Sequence, residues 1–151
     1  VAAQEHVGVT IFSVDEGAGA TRMQGPALTE ALAGVVSTLR RHFDPLGAVV
    51  CRIQPLLIGV VVPDVTMGTM QRVVDSARAD IEKASPAWGK AKKLLLPRVR
   101  TAAGIAVRDP ARPETLIAPE HVVAAAASAL RQALGAGGGC VKTHTPIAKA
   151  A

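Results

Sequence analysis

Few residues in this chain combine a reactive type with a spacing that does chemistry. Arg41-His42-Phe43-Asp44 sets a guanidinium and a carboxylate three residues apart. Such a pair can grip a phosphate or a purine edge through its planar fork of donors. The same spacing at a helix end also gives an ordinary i,i+3 ion pair. Arg52 follows closely, and a basic cluster of Lys90, Lys92, Lys93, Arg98 and Arg100 offers either a solvated rim or an anion or partner contact. The glycine runs Gly17-Ala18-Gly19 and Gly135-Ala136-Gly137-Gly138-Gly139 lack the Gly-Lys-Ser/Thr that a phosphate loop requires, and read as flexible connections. Cys51 and Cys140 have no CxxC partner, and His6, His42, His121 and His144 are scattered, so neither a metal centre nor a bound cofactor is expected.

Composition narrows the function classes. At 151 residues the chain fits one domain with a sizeable core. Nearly half of it (49%) is hydrophobic, yet it holds one Trp, two Phe and no Tyr. The core is therefore aliphatic, and the aromatic platforms on which single-strand binders stack bases are missing. A net charge of +5 is only modestly basic, and no recognition motif accompanies it. Nucleic acid is not an expected partner. Both cysteines lie in apolar, strand-like runs, where a buried, reduced thiol is the usual outcome. There is no signal peptide and no apolar run near 18 residues, which predicts a cytoplasmic domain with no membrane contact of its own. The start at Val1 suggests a piece of a longer protein.

The elements that must position these residues follow from periodicity. Residues 7–14 form a β-branched run that predicts a buried strand. Leu28, Leu32, Val35, Val36 and Leu39 then recur at helical spacing, with Pro26 suited to an early turn and Asp44-Pro45 as the stop. The stretch "RIQPLLIGVVVP" reads as two apolar strands, roughly 47–53 and 57–62, around a tight bend, necessarily an antiparallel hairpin. Asp64 is a good N-cap for a helix whose face carries Met67, Met70, Val74, Ala77 and Ile81, closed by Ser85-Pro86. A strand over 98–107, a polar connection over 108–119, an Ala-rich helix over 119–134 and a short strand over 140–143 complete the order. The order β–α–β–β–α–β–α–β predicts an α/β (α+β) fold. It is a ferredoxin-like or palm-like mixed sheet of about five strands, with flanking helices mainly on one face. Residues 1–143 form the domain and 144–151 an unstructured tail.

With that order in place, the chain resembles a GGDEF domain, the nucleotide-cyclase-like fold of diguanylate cyclases. The resemblance covers about residues 7 to 143 and rests on register. Ala103-Gly104-Ile105-Ala106 sits where the family has a strand ending S-I-G-V-A. The segment Ala126 to Gly137 keeps the Ala-Leu core and the glycine of the family's closing helix. The family signature then falls on Gln54, Pro55, Leu56, Leu57 and Ile58.

The resemblance implies where catalysis should reside and why it should be absent. Joining nucleoside triphosphates needs Mg²⁺ to bridge phosphate oxygens and activate a hydroxyl, and Mg²⁺ demands oxygen ligands. The implied carboxylate positions hold Ser13 on the first strand and Leu56 and Leu57 at the turn, with Asp15 left on the same strand face as Ser13. The family's guanine-reading residues fall at Thr21 and Glu30, and its phosphate-binding Lys at Leu134. The expectation is a degenerate, non-catalytic domain of a bacterial cyclic di-GMP signalling protein, acting through a protein partner or a homodimer. The alternative is a cyclic di-GMP receptor using Arg41, Asp44 and Arg52, with Arg41–Asp44 as a displaced R-x-x-D site about four residues early. The Lys90–Arg100 cluster is a further candidate for that ligand.

Overall fold

The computed structural model describes residues 6–15, 25–94, 96, 98–108 and 119–144. Five strands form one sheet: β1 (Val7–Asp15), β2 (Val49–Gln54), β3 (Leu57–Pro63), β4 (Arg100–Arg108) and β5 (Val141–Thr143). The strand order is β2-β3-β1-β4-β5. All neighbours are antiparallel except β4 and β5, whose parallel pairing is bridged by a helix, as parallel pairs require. The helices are α1 (Gly25–Phe43), α2 (Met67–Ala84) and α3 (Pro119–Gly135).

The strand alternation divides the core between two faces. Phe12 and Val14 of β1 and Ile58, Val60 and Val62 of β3 join Leu32, Val35 and Leu39 of α1 and Met70, Val74 and Ile81 of α2. Phe12 meets Phe43 edge-on, with ring centroids 6.3 Å apart. Val9 and Ile11 face the other way and pack with Ala102 and Ala106 under Val122, Ala126 and Leu130 of α3. Two helices thus cover one face and one covers the other, a more even distribution than the sequence suggested. The β4–α3–β5 crossover is what occupies the second face.

The predicted helix faces are the buried ones, and α1 stops at Phe43, where Asp44-Pro45 opens a 3-10 turn. The start of α2 differs from expectation. Asp64 adopts a left-handed backbone (φ 52) and its N–H donates to the His6 carbonyl at 2.7 Å. It therefore anchors the end of β3, and Thr66 takes the cap by accepting from the Thr69 N–H at 3.3 Å. The far end of α2 is tied to the chain that enters β4: buried Ser85 accepts from the Val99 N–H through Oγ at 2.7 Å and donates to the Glu82 carbonyl at 3.3 Å.

Cys51 also departs from expectation, since it is exposed while Cys140 is half-buried. The cause is topological. β2 ends the sheet, and α3 lies over β1 and β4, so among the described residues the α3-side face of β2 carries no cover.

Candidate functional site

The hairpin turn is Pro55-Leu56, with Gln54 closing β2 and Leu57-Ile58 opening β3. The backbone locks this turn onto β1: the Val14 N–H donates to the Leu56 carbonyl at 2.9 Å. Ser13 is the direct cross-strand partner of Leu57. Side chains in such a pair start about 5 Å apart, so the fold does bring the two implied ligand positions together. What they present is one hydroxyl and an isobutyl group. Leu56, beside them, is 36% exposed.

Electrostatics run against a dication as well. Arg52 folds back over the turn and donates to the Pro55 carbonyl at 3.1 Å, which places a positive charge at the bend. The residues present at these positions therefore do not fit Mg²⁺, which needs hard oxygen donors. Among the described residues, no three His, Cys, Asp or Glu side chains converge as a metal site.

Arg52 also borders a groove, an open cleft of about 520 Å³ between α1 and the β2–β3 hairpin. Thr29, Leu32, Ala33, Val36, Ser37 and Arg40 line it from α1, and Ile58 lies on its sheet side. Its walls carry two guanidinium groups over an aliphatic floor.

The remaining predicted residues are dispersed. Arg41 does not pair with Asp44; its guanidinium reaches Asp80 on α2 at 2.5 Å, and His42 Nε2 meets the same carboxylate oxygen at 3.0 Å. The hydrogen bond from His42, followed by that from Arg41, holds the Asp80 carboxyl below its ordinary value. This three-residue clamp pins α1 to α2. Asp44 opens the following 3-10 turn, where its carbonyl accepts from the Gly47 N–H. The R-x-x-D letters thus lie apart from the groove that holds Arg52.

Glu30 pairs with Lys92, which ties one member of the basic cluster to α1. Arg100 lies against Gly139, so close that any Cβ there would collide with its guanidinium. Leu134 is exposed on α3. Thr21, the side chain of Asp15, Gly17-Ala18-Gly19, the connection over 109–118 and the tail over 145–151 lie outside the described residues. Sequence reasoning missed Asp80, and it grouped Arg40 with Arg41 as a small basic pair without placing it on the groove. Asp80 is 39 positions from Arg41, and Arg40 reads as one more exposed base at a helix end.

No protein-family model matches the chain, and no curated protein matches it. Solved structures do. The GGDEF domain of TpbB (YfiN) from Pseudomonas aeruginosa superposes with a TM-score of 0.73 at 16% identity, covering 94% of this chain and 78% of that one. The active GGEEF domain of a diguanylate cyclase from Vibrio cholerae gives 0.70 at 10% identity, over 95% of this chain and 86% of that one. The GGDEF domain of DgcB from Caulobacter crescentus, solved in complex with c-di-GMP, gives 0.64 at 10% identity, over 93% and 78%. No helix among the described residues is long and apolar enough to cross a membrane. With its five-stranded mixed sheet and three helices, the chain is by fold a GGDEF-like domain.

Proposed function

We propose that this domain is a non-catalytic GGDEF-like module of a cyclic di-GMP signalling protein, one that regulates or docks a partner. The observation that carries this reading is the pairing of Ser13 with Leu57 beneath a Pro55-Leu56 turn. The scaffold that would converge ligands is kept, while the groups delivered to it are a hydroxyl and two leucines. Burying a hydrated dication against leucine costs several kcal/mol with no donor in return. The supporting observation is the Arg52 guanidinium held at the bend. Incubation with Mg²⁺ and GTP, followed by chromatography of the products, tests the reading. No cyclic di-GMP above the level of a protein-free blank is expected, and steady formation of it refutes the reading.

A second reading, a receptor for cyclic di-GMP, has one observation in its favour. Arg40 and Arg52 face the same groove, and arginine forks suit phosphate. Arg41 is drawn away from that role by Asp80. Isothermal titration separates the two: micromolar binding that is lost in Arg52→Ala promotes the receptor, and no heat at about 100 µM ligand leaves the docking module.

A further inference from the structure

The edge of the sheet carries an unused surface. β2 (Val49–Gln54) is a terminal strand, so among the described residues one row of its backbone N–H and C=O groups has no neighbouring strand. Soluble proteins blunt such edges with lysines, prolines or covering segments, because an open edge templates pairing with another strand. Here Val49-Val50-Cys51-Arg52-Ile53 holds no Lys or Pro and a single charge, and its bulge falls at the end, between Arg52 and Gln54. The face of this edge left open by α3 is apolar. Val49 is 63% exposed, Ile53 49% and Val61 of β3 38%, with exposed Cys51 between them. Ile53 lies across Gly59, where its Cδ1 takes the space a Cβ would need.

We propose that β2 pairs antiparallel with β2 of a second copy of this chain, joining the two sheets into one. The choice of occupant rests on self-complementarity. A two-fold axis through Cys51 sets Val49 opposite the partner subunit's Ile53, and Cys51 opposite the partner subunit's Cys51, all on the open face. On the other face it sets Val50 opposite the partner subunit's Arg52, so the single charge meets an aliphatic side chain. Arg52 is moreover drawn to the Pro55 carbonyl of its own turn. Shifting the axis one residue to Arg52 would stack two guanidinium groups.

The area sets the class of interface. Six residues at about 3.3 Å each give an edge about 20 Å long. With the apolar strip beside it, that edge buries on the order of 1,000 Å² in total, the lower bound for a specific interface. An interface at that bound belongs to the weak, reversible class, and a micromolar dimer is the expectation to be tested. Each copy carries +5, so added salt strengthens association by screening their repulsion. The pairing does not require the hairpin turn to be inactive, so it and the functional reading stand or fall separately.

Sedimentation velocity from about 5 to about 200 µM, bracketing a micromolar constant, tests the pairing. A monomer passing to a dimer is expected, with more dimer at about 0.5 M than at about 0.05 M NaCl. The double variant Val49→Lys/Ile53→Lys should weaken the dimer at least tenfold, while Val123→Lys, at an exposed apolar position on α3, should leave it intact. Far-UV circular dichroism and Trp88 emission check that the double variant is folded. On a Cys140→Ser background that needs no change in β2, a short bis-maleimide should link two copies through Cys51. A monomer at every concentration overturns the proposal, as does a dimer indifferent to the double variant or weakened by salt. A monomer whose Cys51 resists maleimide assigns the edge to another segment of the same chain, and overturns it equally.

Discussion

Replacing Gly104 with Ala is the sharpest test of how α3 sits on the sheet. Gly104 lies in β4 between Ile11 of β1 and Lys142 of β5, under α3. A Cβ built there would stand 2.2 Å from the Ala126 carbonyl oxygen, 2.2 Å from the Leu130 nitrogen and 2.8 Å from the Leu130 Cα. These are helix backbone atoms, which no rotamer change can move aside. Restoring an ordinary contact requires α3 to lift by about 1 Å along its middle, and a gap of that size forfeits a quarter to a half of each dispersion contact. The contacts at stake are those of Val122, Ala126, Leu130 and Ala133 with Val9, Ile11, Ala102 and Ala106. Overpacking costs about 1–3 kcal/mol where side chains can adjust. Here the obstacle is rigid, which puts Gly104→Ala at about 3 kcal/mol or more. For a chain of this size that is a fall in Tm of about 6–12 °C. Thermal and urea unfolding, followed at 222 nm, measure it. Gly68→Ala is the matched control: Gly68 is exposed in the first turn of α2 with nothing within 4 Å of its added carbon, and it should gain about 0.5–1 kcal/mol. A Gly104→Ala protein within about 1 kcal/mol of the parent would show that α3 does not seat this closely.

Three further changes probe the framework. Ser85→Ala strands the buried Val99 N–H and should cost about 1–3 kcal/mol in urea unfolding. Thr10→Val should stabilise by about 1 kcal/mol, because the buried Thr10 hydroxyl has no hydrogen-bond partner among the described residues. Asp80→Asn should cost less than about 1 kcal/mol at pH 7, since Asp80 is 34% and Arg41 64% exposed and solvent screens the clamp. Because His42 and Arg41 lower the folded-state value of Asp80, its contribution is complete above 3.8 and is lost as pH falls through the folded value. Parent and variant stability should therefore converge in acid below 3.8.

The parts of the fold that follow from local pattern were legible in the sequence. The apolar stripe from Leu28 to Leu39 and that from Met70 to Ile81 are the buried faces of α1 and α2. Leu56 and Leu57 do lie at the hairpin bend. Features that depend on distant partners were not legible. Val49, Val50, Cys51 and Ile53 read as a buried strand because both of its faces are apolar, and only the strand order makes β2 an edge. Arg41 and Asp44 look like a pair until Asp80, contributed by α2, proves the nearer carboxylate. Asp64 and Thr66 are both good caps, and the hydrogen bond to His6, far away in sequence, decides between them. Gly104 could be recognised in the strand, but the reason for it, the backbone of α3 passing overhead, is purely tertiary.

The non-catalytic reading we propose rests on one physical point: Pro55, Leu56 and Leu57 at the bend, with Ser13 beside them, offer too few oxygen donors for a divalent cation. Titrating Mn²⁺ with GTP present, and reading paramagnetic broadening residue by residue in the amide NMR spectrum, examines this point at the site itself. No saturable broadening centred on residues 13–15, 54 and 56–58 is expected. Selective, saturable loss of those signals at micromolar Mn²⁺ would contradict it.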